Sequence, residues 1–289
     1  MLAANQVETF HRNGFLNGGS VLSIAEVEKL RAEVDRVLAI GSKGFERRKR
    51  KPVLITNLVD SAEGSRIFWQ IVNIWEASES FRRLLYHPFI VAAIARLANT
   101  DELTIWHDQL LYKPPRTGGV TCWHQDAPLW PIIRPMTPVS AWIALDDADV
   151  DNGCMWMTPG SHTWGNQIEF LRTQSHIRQV SEFGRLEGFT PPPGARIRTV
   201  TPVSCPVKCG EVSFHHSLTW HGAPVNFSDR PRRAIAIHYM TGDARFVASG
   251  HHVMKPYVSL QDGEPMSRAG SNFPRVMEAG KVMRIGDRQ

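Results

Sequence analysis

Cysteine is scarce in this chain, with four (Cys122, Cys154, Cys205 and Cys209) in 289 residues. That excludes a disulfide-framed scaffold. Cys205 and Cys209 also lack the second pair that the usual structural zinc site needs, so all four are read as free thiols. Long apolar runs are missing too, since no window approaches the ~18 uninterrupted apolar residues of a membrane span. The opening Met1–Glu8 has neither a basic start nor an apolar stretch, so no secretory leader is expected and the expected setting is reduced and cytoplasmic. Charge of one sign is not in large excess either. A formal net charge of +5 suits anionic small molecules and is too diffuse to point to nucleic acid. Oligomeric state has no readable signal.

What is present is an ordinary globular composition, 42% hydrophobic and 21% charged, with length enough to bury a large core. Residues 1–100 read as a helical scaffold, with residues 1–289 as one domain. Val7, Phe10 and His11 follow helical spacing until Asn13-Gly14. Ser23 with Glu26 makes a capping box for a helix through Val27, Leu30, Val34, Val37 and Leu38, closed by Gly41. Residues 66–97 read as two more helices broken around Pro88. The dense basic run Glu46-Arg47-Arg48-Lys49-Arg50-Lys51 reads as a solvated loop, with the phosphates of a coenzyme A ester as its functional alternative.

From about residue 102 the pattern changes to short β-rich runs separated by Pro and Gly. These are 103–106, 109–113, the stretch around His124, 139–145 and 154–158, and after residue 207 the runs 210–214, 218–222 and 232–239. Such spacing predicts a sandwich or barrel, not a doubly wound sheet. Residues 163–200, which include Pro191-Pro192-Pro193-Gly194, read as an insertion serving as a lid or binding loop. Residues 241–289 read as a tail packed on the barrel or offering a partner surface.

The chemistry gathers around Cys122-Trp123-His124-Gln125-Asp126. On an extended strand His124 and Asp126 share one side, so both reach one metal ion. An imidazole and a carboxylate are two of the three ligands of the 2-His-1-carboxylate site that holds non-haem Fe(II). His221, before Gly222, is the expected third ligand, because glycine allows close backbone approach. Arg232, eleven residues on, points into the same barrel if its strand neighbours that of His221, and its fork suits a carboxylate. His215, His216, His238, His251 and His252 carry no assignment. Lys113 and His162 are weaker candidates, Trp123, Trp130 and Trp156 are substrate wall or core, and Arg233 alternates away from Arg232.

The ordered set Gln109–Pro115, Trp123–Asp126, Ser140–Leu145, Asn152-Gly153-Cys154, Pro159–His162 and His221-Gly222 through Arg232-Arg233-Ala234 resembles the phytanoyl-CoA dioxygenase family of Fe(II)/2-oxoglutarate oxygenases. The resemblance covers residues 103–240 and touches Asn13-Gly14-Phe15. It implies a mainly β fold with flanking helices, a double-stranded β-helix of jelly-roll, cupin-like type. It implies Fe(II), 2-oxoglutarate and O2 as cofactor and co-substrates, with His124, Asp126 and His221 on the metal. Arg232 then falls on the residue that pairs with the 2-oxoglutarate C5 carboxylate, and Gln109 and Trp142 line the co-substrate. Asn57 matches a position where a family member carries a lysine near 2-oxoglutarate. Halogenating relatives have a small residue where Asp126 stands, so halogenation is not expected. The implied reaction hydroxylates an unactivated C–H bond of a small organic metabolite, releasing succinate and CO2. The alternatives are an acyl-CoA 2-hydroxylase and a cupin-type metal enzyme that does not use 2-oxoglutarate.

Overall fold

The computed structural model describes residues 1–60, 66–135, 139–193 and 200–287. Helix α1 (Ala4–Asn13) ends at Gly14, whose φ of 84° turns its N–H onto the Phe10 carbonyl. Strand β1 (Phe15–Ser20) follows, then helix α2 (Ile24–Phe45), opened by the expected Ser23–Glu26 capping box. Gly41, at φ 63°, kinks α2 without ending it, and the final turn buries Phe45.

Residues 66–72 depart from the expected helix. They form strand β3 (Arg66–Val72), paired antiparallel with β2 (Leu54–Asp60). Ile67, Phe68, Trp69, Ile71 and Val72 are β-branched or aromatic, and the free edge of β4 (Leu103–Lys113) accepts them through Trp69–Val72. The local apolar spacing fits either period, and sheet pairing decides. The helices of this region are α3 (Glu79–Leu85) and α4 (Pro88–Ala98), the latter with Pro88 in its first turn. β4 is one strand where two short runs were expected.

The other strands are β5 (Thr121–His124), β6 (Ile133–Arg134), β7 (Val139–Ala144), β8 (Met155–Met157), β9 (Val203–Cys205), β10 (Glu211–His216), β11 (His221–Ala223) and β12 (Arg232–Thr241), then β13 (Arg245–Phe246), β14 (Arg275–Glu278) and β15 (Lys281–Val282). A large sheet runs β1-β10-β7-β12-β4-β14-β15, with β3 also on β4 and β2 beyond it. A smaller sheet, β5-β11-β8-β9, faces it. The fold is mainly β, a curled double-stranded β-helix of the jelly-roll type with helices on one side.

Alternation along the large sheet explains where a site can form. On β12, Ile235 and Ile237 point outward with Ile143, Ala141, Val212 and Phe214, and there meet the apolar faces of α2, α3 and α4. On the inner face Arg232, Ala234, Ala236 and His238 alternate with them. Two alanines in that row leave room that larger side chains would fill.

The described part of the insertion, expected as a lid or binding loop, packs against the small sheet. Helices α5 (Ile168–Thr173) and α6 (Val180–Phe183) cover the outer surface of the small sheet. Leu171, Ile177, Phe183 and Leu186 pack there on Trp123 and Trp220. Residues 194–199 of the insertion lie outside the described residues. The C-terminal stretch packs on the barrel, with Met254, Met266 and Phe273 against Trp106 and Trp130. No helix among the described residues is long and apolar enough to cross a membrane.

Candidate metal centre

His124 ends β5 and His221 begins β11, and the antiparallel register sets them opposite each other with ring centroids 4.1 Å apart. Asp126 lies just past the strand, its backbone in the right-handed helical region at the head of a single 3-10 turn. The shared strand face expected for His124 and Asp126 is therefore replaced by a turn, which brings the carboxylate back to the imidazoles. The Asp126 N–H donates to the Ser217 carbonyl at 2.9 Å, fixing that turn to the loop before His221.

Each ligand imidazole is held in one tautomer by a carbonyl. His124 Nδ1 donates to the Cys122 carbonyl at 2.8 Å, and His221 Nδ1 donates to the Thr219 carbonyl at 2.9 Å. A carbonyl can only accept, so both Nε2 atoms keep their lone pairs for a metal. They lie 3.5 Å and 3.6 Å from Asp126 Oδ1, and one ligand atom from each residue falls within 4.8 Å of the others. Two neutral imidazole nitrogens and one carboxylate oxygen fit Fe(II).

The electrostatics agree for Asp126 and His221. Burial alone would raise the Asp126 carboxyl, but His221, His124 and His215 around it hold it well below the usual range, so it is ionised. Burial, then His124, pushes His221 well down and keeps it neutral. For His124 burial lowers the value, and the Asp126 carboxylate overrides it to leave the ring raised.

A narrow cleft of about 70 Å³ opens beside this centre, lined by Gln70, Gln109, Trp142 and Arg232 together with His124, Asp126 and His221. Arg232 is 1% exposed, and among the described residues no carboxylate pairs with it. Burial lowers its guanidinium to about 10, so it remains charged at neutral pH. Its Nε–H and the Trp142 indole N–H are both buried without an acceptor among the described residues. Two orphaned donors and an unpaired cation in one cleft call for an anionic oxygen ligand.

Arg232 arrives there by a different route from the one expected. β12 pairs with β4 and β7, while β11 belongs to the opposite sheet. Arg232 reaches the cleft from across the barrel. Arg233 points outward to Asp146 at 2.9 Å, as alternation requires. Asn57 does not reach the cleft. It stands opposite Trp69, on the face away from Gln70, Gln109 and Leu111. Lys113 is buried behind Arg232 and donates to the carbonyls of Ala223 and Pro224 at 2.9 Å and 2.5 Å, bracing the end of β11. His162 lies at the α1 turn, its Nε2 3.2 Å from the His11 carbonyl. The run at residues 46–51 lines no part of the cleft.

Sequence reasoning missed Gln70, which sat in a presumed helix, and the polar residues that hold the ligands. Gln125 is one. Between His124 and Asp126, it donates to the Gly165 and Leu218 carbonyls at 2.8 Å and 2.7 Å, and accepts from the Gln167 N–H at 2.7 Å. Its place in the His-Gln-Asp triplet was the available signal. His215 and His238 gave none beyond their type.

The phytanoyl-CoA dioxygenase sequence profile matches residues 10–234. The chain belongs to the phytanoyl-CoA dioxygenase family. By class it is a non-haem Fe(II)/2-oxoglutarate-dependent oxygenase. Phytanoyl-CoA dioxygenase domain-containing protein 1 of Bos taurus is 27% identical over 83% of this chain and 90% of its own length. The peroxisomal phytanoyl-CoA dioxygenase of Rattus norvegicus is 24% identical over 86% of this chain and 71% of its own. Among solved structures, the α-ketoglutarate-dependent carbocyclase SnoK from nogalamycin biosynthesis superposes with a TM-score of 0.69 at 27% identity, covering 96% of this chain and 97% of SnoK. The epimerase SnoN of the same biosynthesis gives 0.71 at 25% identity, covering 94% of this chain and 96% of SnoN.

Proposed function

We propose that this family member oxidises a C–H bond of a small organic molecule, most simply by hydroxylation, with 2-oxoglutarate as co-substrate. The observation that carries the reading is the buried, unpaired Arg232 guanidinium in the same cleft as the His124–Asp126–His221 set. Iron bound there supplies oxidising power from O2 while the keto acid goes to succinate and CO2. The chain's own residues do the rest. His124, Asp126 and His221 hold the metal on one side. Arg232 and Trp142 take the distal carboxylate of the co-substrate, Gln109 lines its path, and the surrounding apolar walls exclude water.

A small organic substrate is favoured over an acyl-CoA because the basic run at 46–51 takes no part in the cleft. SnoK and SnoN, which act in a natural-product biosynthesis, support the same choice. A cupin-type enzyme without a keto acid would have no use for Arg232. The test is succinate formation from 2-oxoglutarate by iron-loaded protein in air, first without substrate and then across a panel of small organic molecules. Wild type should form succinate slowly alone and faster with a true substrate, and Arg232→Ala should form none. Equal turnover by wild type and Arg232→Ala would defeat the reading.

A further inference from the structure

The two oxygens of Asp126 have different surroundings. Oδ1 faces the Nε2 atoms of His124 and His221. Oδ2 faces the large sheet, where His215 Nε2 lies 3.0 Å away and Ser140 Oγ 3.5 Å away. His215 is 2% exposed on the inner face of β10, directly across from Ser140 on β7. A carboxylate can only accept, so the short contact fixes His215 as the Nε2–H tautomer. Its Nδ1 has no hydrogen-bond partner among the described residues, so Nε2 is the nitrogen that the fold engages. A second donor path runs alongside. Ser140 Oγ is 2.7 Å from His238 Nδ1. With His238 donating to Ser140, the serine hydroxyl proton is free for Oδ2.

We infer that His215 is a positioning residue for the metal centre, holding Oδ2 so that Asp126 offers the metal Oδ1 alone. Carboxylates bind metals through one oxygen or two, and the three-ligand set leaves three open positions only when Asp126 takes one. A freely rotating carboxylate could swing Oδ2 inward and close a position that the keto acid and O2 need. The His215 bond prevents the swing, and Ser140 with His238 reinforces it. The inference rests on the metal reading above and assigns His215 no contact with the metal.

The test uses full-length apo-protein and anaerobic Fe(II) alone, read by competition with a chromogenic chelator beside the apo-protein melting temperature. His215→Leu keeps the volume and removes the donor. His215→Gln sets an amide N–H near the Nε2 position, and His215→Asn sets one near Nδ1, out of reach. Loss of such an outer hydrogen bond costs roughly 10–100-fold in metal affinity. His215→Leu and His215→Asn should show that loss, and His215→Gln should stay near wild type. Wild-type affinity in His215→Leu, or equal losses in all three variants tracking their melting temperatures, would overturn the inference. Should wild type itself fail to bind iron, the metal assignment falls and this inference with it. Affinity lost only in the variants that lack the donor upholds both.

Discussion

At the scale of single residues, the chain keeps in Arg232 a group that folding alone would reject. Removing a guanidinium from water without a carboxylate partner is costly, and an apolar side chain of similar volume in such a place is often neutral or stabilising by about 1–4 kcal/mol. Arg232→Met should therefore melt at or above the wild-type temperature while losing 2-oxoglutarate binding, measured by thermal denaturation beside isothermal titration. A variant that is both clearly destabilised and still binds the keto acid would contradict this account. The thiols make a second case. Burial pushes Cys154 to about 11 and Cys205 to about 12. Only the thiolate is alkylated, so at pH 8 both should resist iodoacetamide in the folded protein and react on unfolding, as mass spectrometry can read. The candidate ligands His124, Asp126 and His221 and the proposed co-substrate anchor Arg232 could be picked out in the sequence because they carry their chemistry in their types and order. His215 was not, since only its 3.0 Å contact with Asp126 separates it from the other histidines.

At the scale of elements, legibility followed local signals and failed where pairing decides. The Ser23–Glu26 box and the Asn13-Gly14 stop mark helix ends through contacts three or four residues apart, so a linear reading finds them. β3 becomes a strand because β4 has an open edge, and no local signal announces that. Asn57 was misplaced for the same reason, since its facing depends on a register with Trp69 across the hairpin. The insertion at 163–200 was found by its composition, yet its partner could not be, because Trp123 read equally well as substrate wall. Its α5 and α6 brace the strands that carry His124 and His221, and Gln125 ties it to them through two hydrogen bonds to Gly165 and Gln167 and one to Leu218 before His221. Gln125→Leu leaves two carbonyls and one N–H without partners and should cost on the order of 3 kcal/mol. Phe183→Ala should cost about 3–5 kcal/mol. Both should weaken Fe(II) binding, seen as a smaller rise in melting temperature on adding iron. A lid would behave differently, with Phe183→Ala changing the substrate KM and leaving metal affinity and stability unchanged.

At the scale of the whole molecule, the helices bury one face of the large sheet and leave the other free for polar work. The outer rows of Ile143, Val212, Ile235 and Ile237 supply cohesion, and the inner rows hold Gln109, Trp142, Arg232 and His238 around a cleft kept open by Ala234 and Ala236. Stability and function are thus assigned to opposite faces of the same strands. Ligands should repay the polar face in stability. A ligand at one hundred times its Kd adds about 2.7 kcal/mol to the folded state. Iron and 2-oxoglutarate together should raise the melting temperature further than either alone, because in the proposed arrangement the keto acid would bridge the metal and Arg232.

The measurement that bears most directly on the central claim is anaerobic titration of the protein with Fe(II) and then 2-oxoglutarate, followed in the visible. The account predicts a metal-to-ligand charge-transfer band in wild type, absent in His124→Ala and lost or much weakened in Arg232→Ala. Iron-loaded wild type that gives no band on adding 2-oxoglutarate, or Arg232→Ala that gives the full wild-type band, would contradict it.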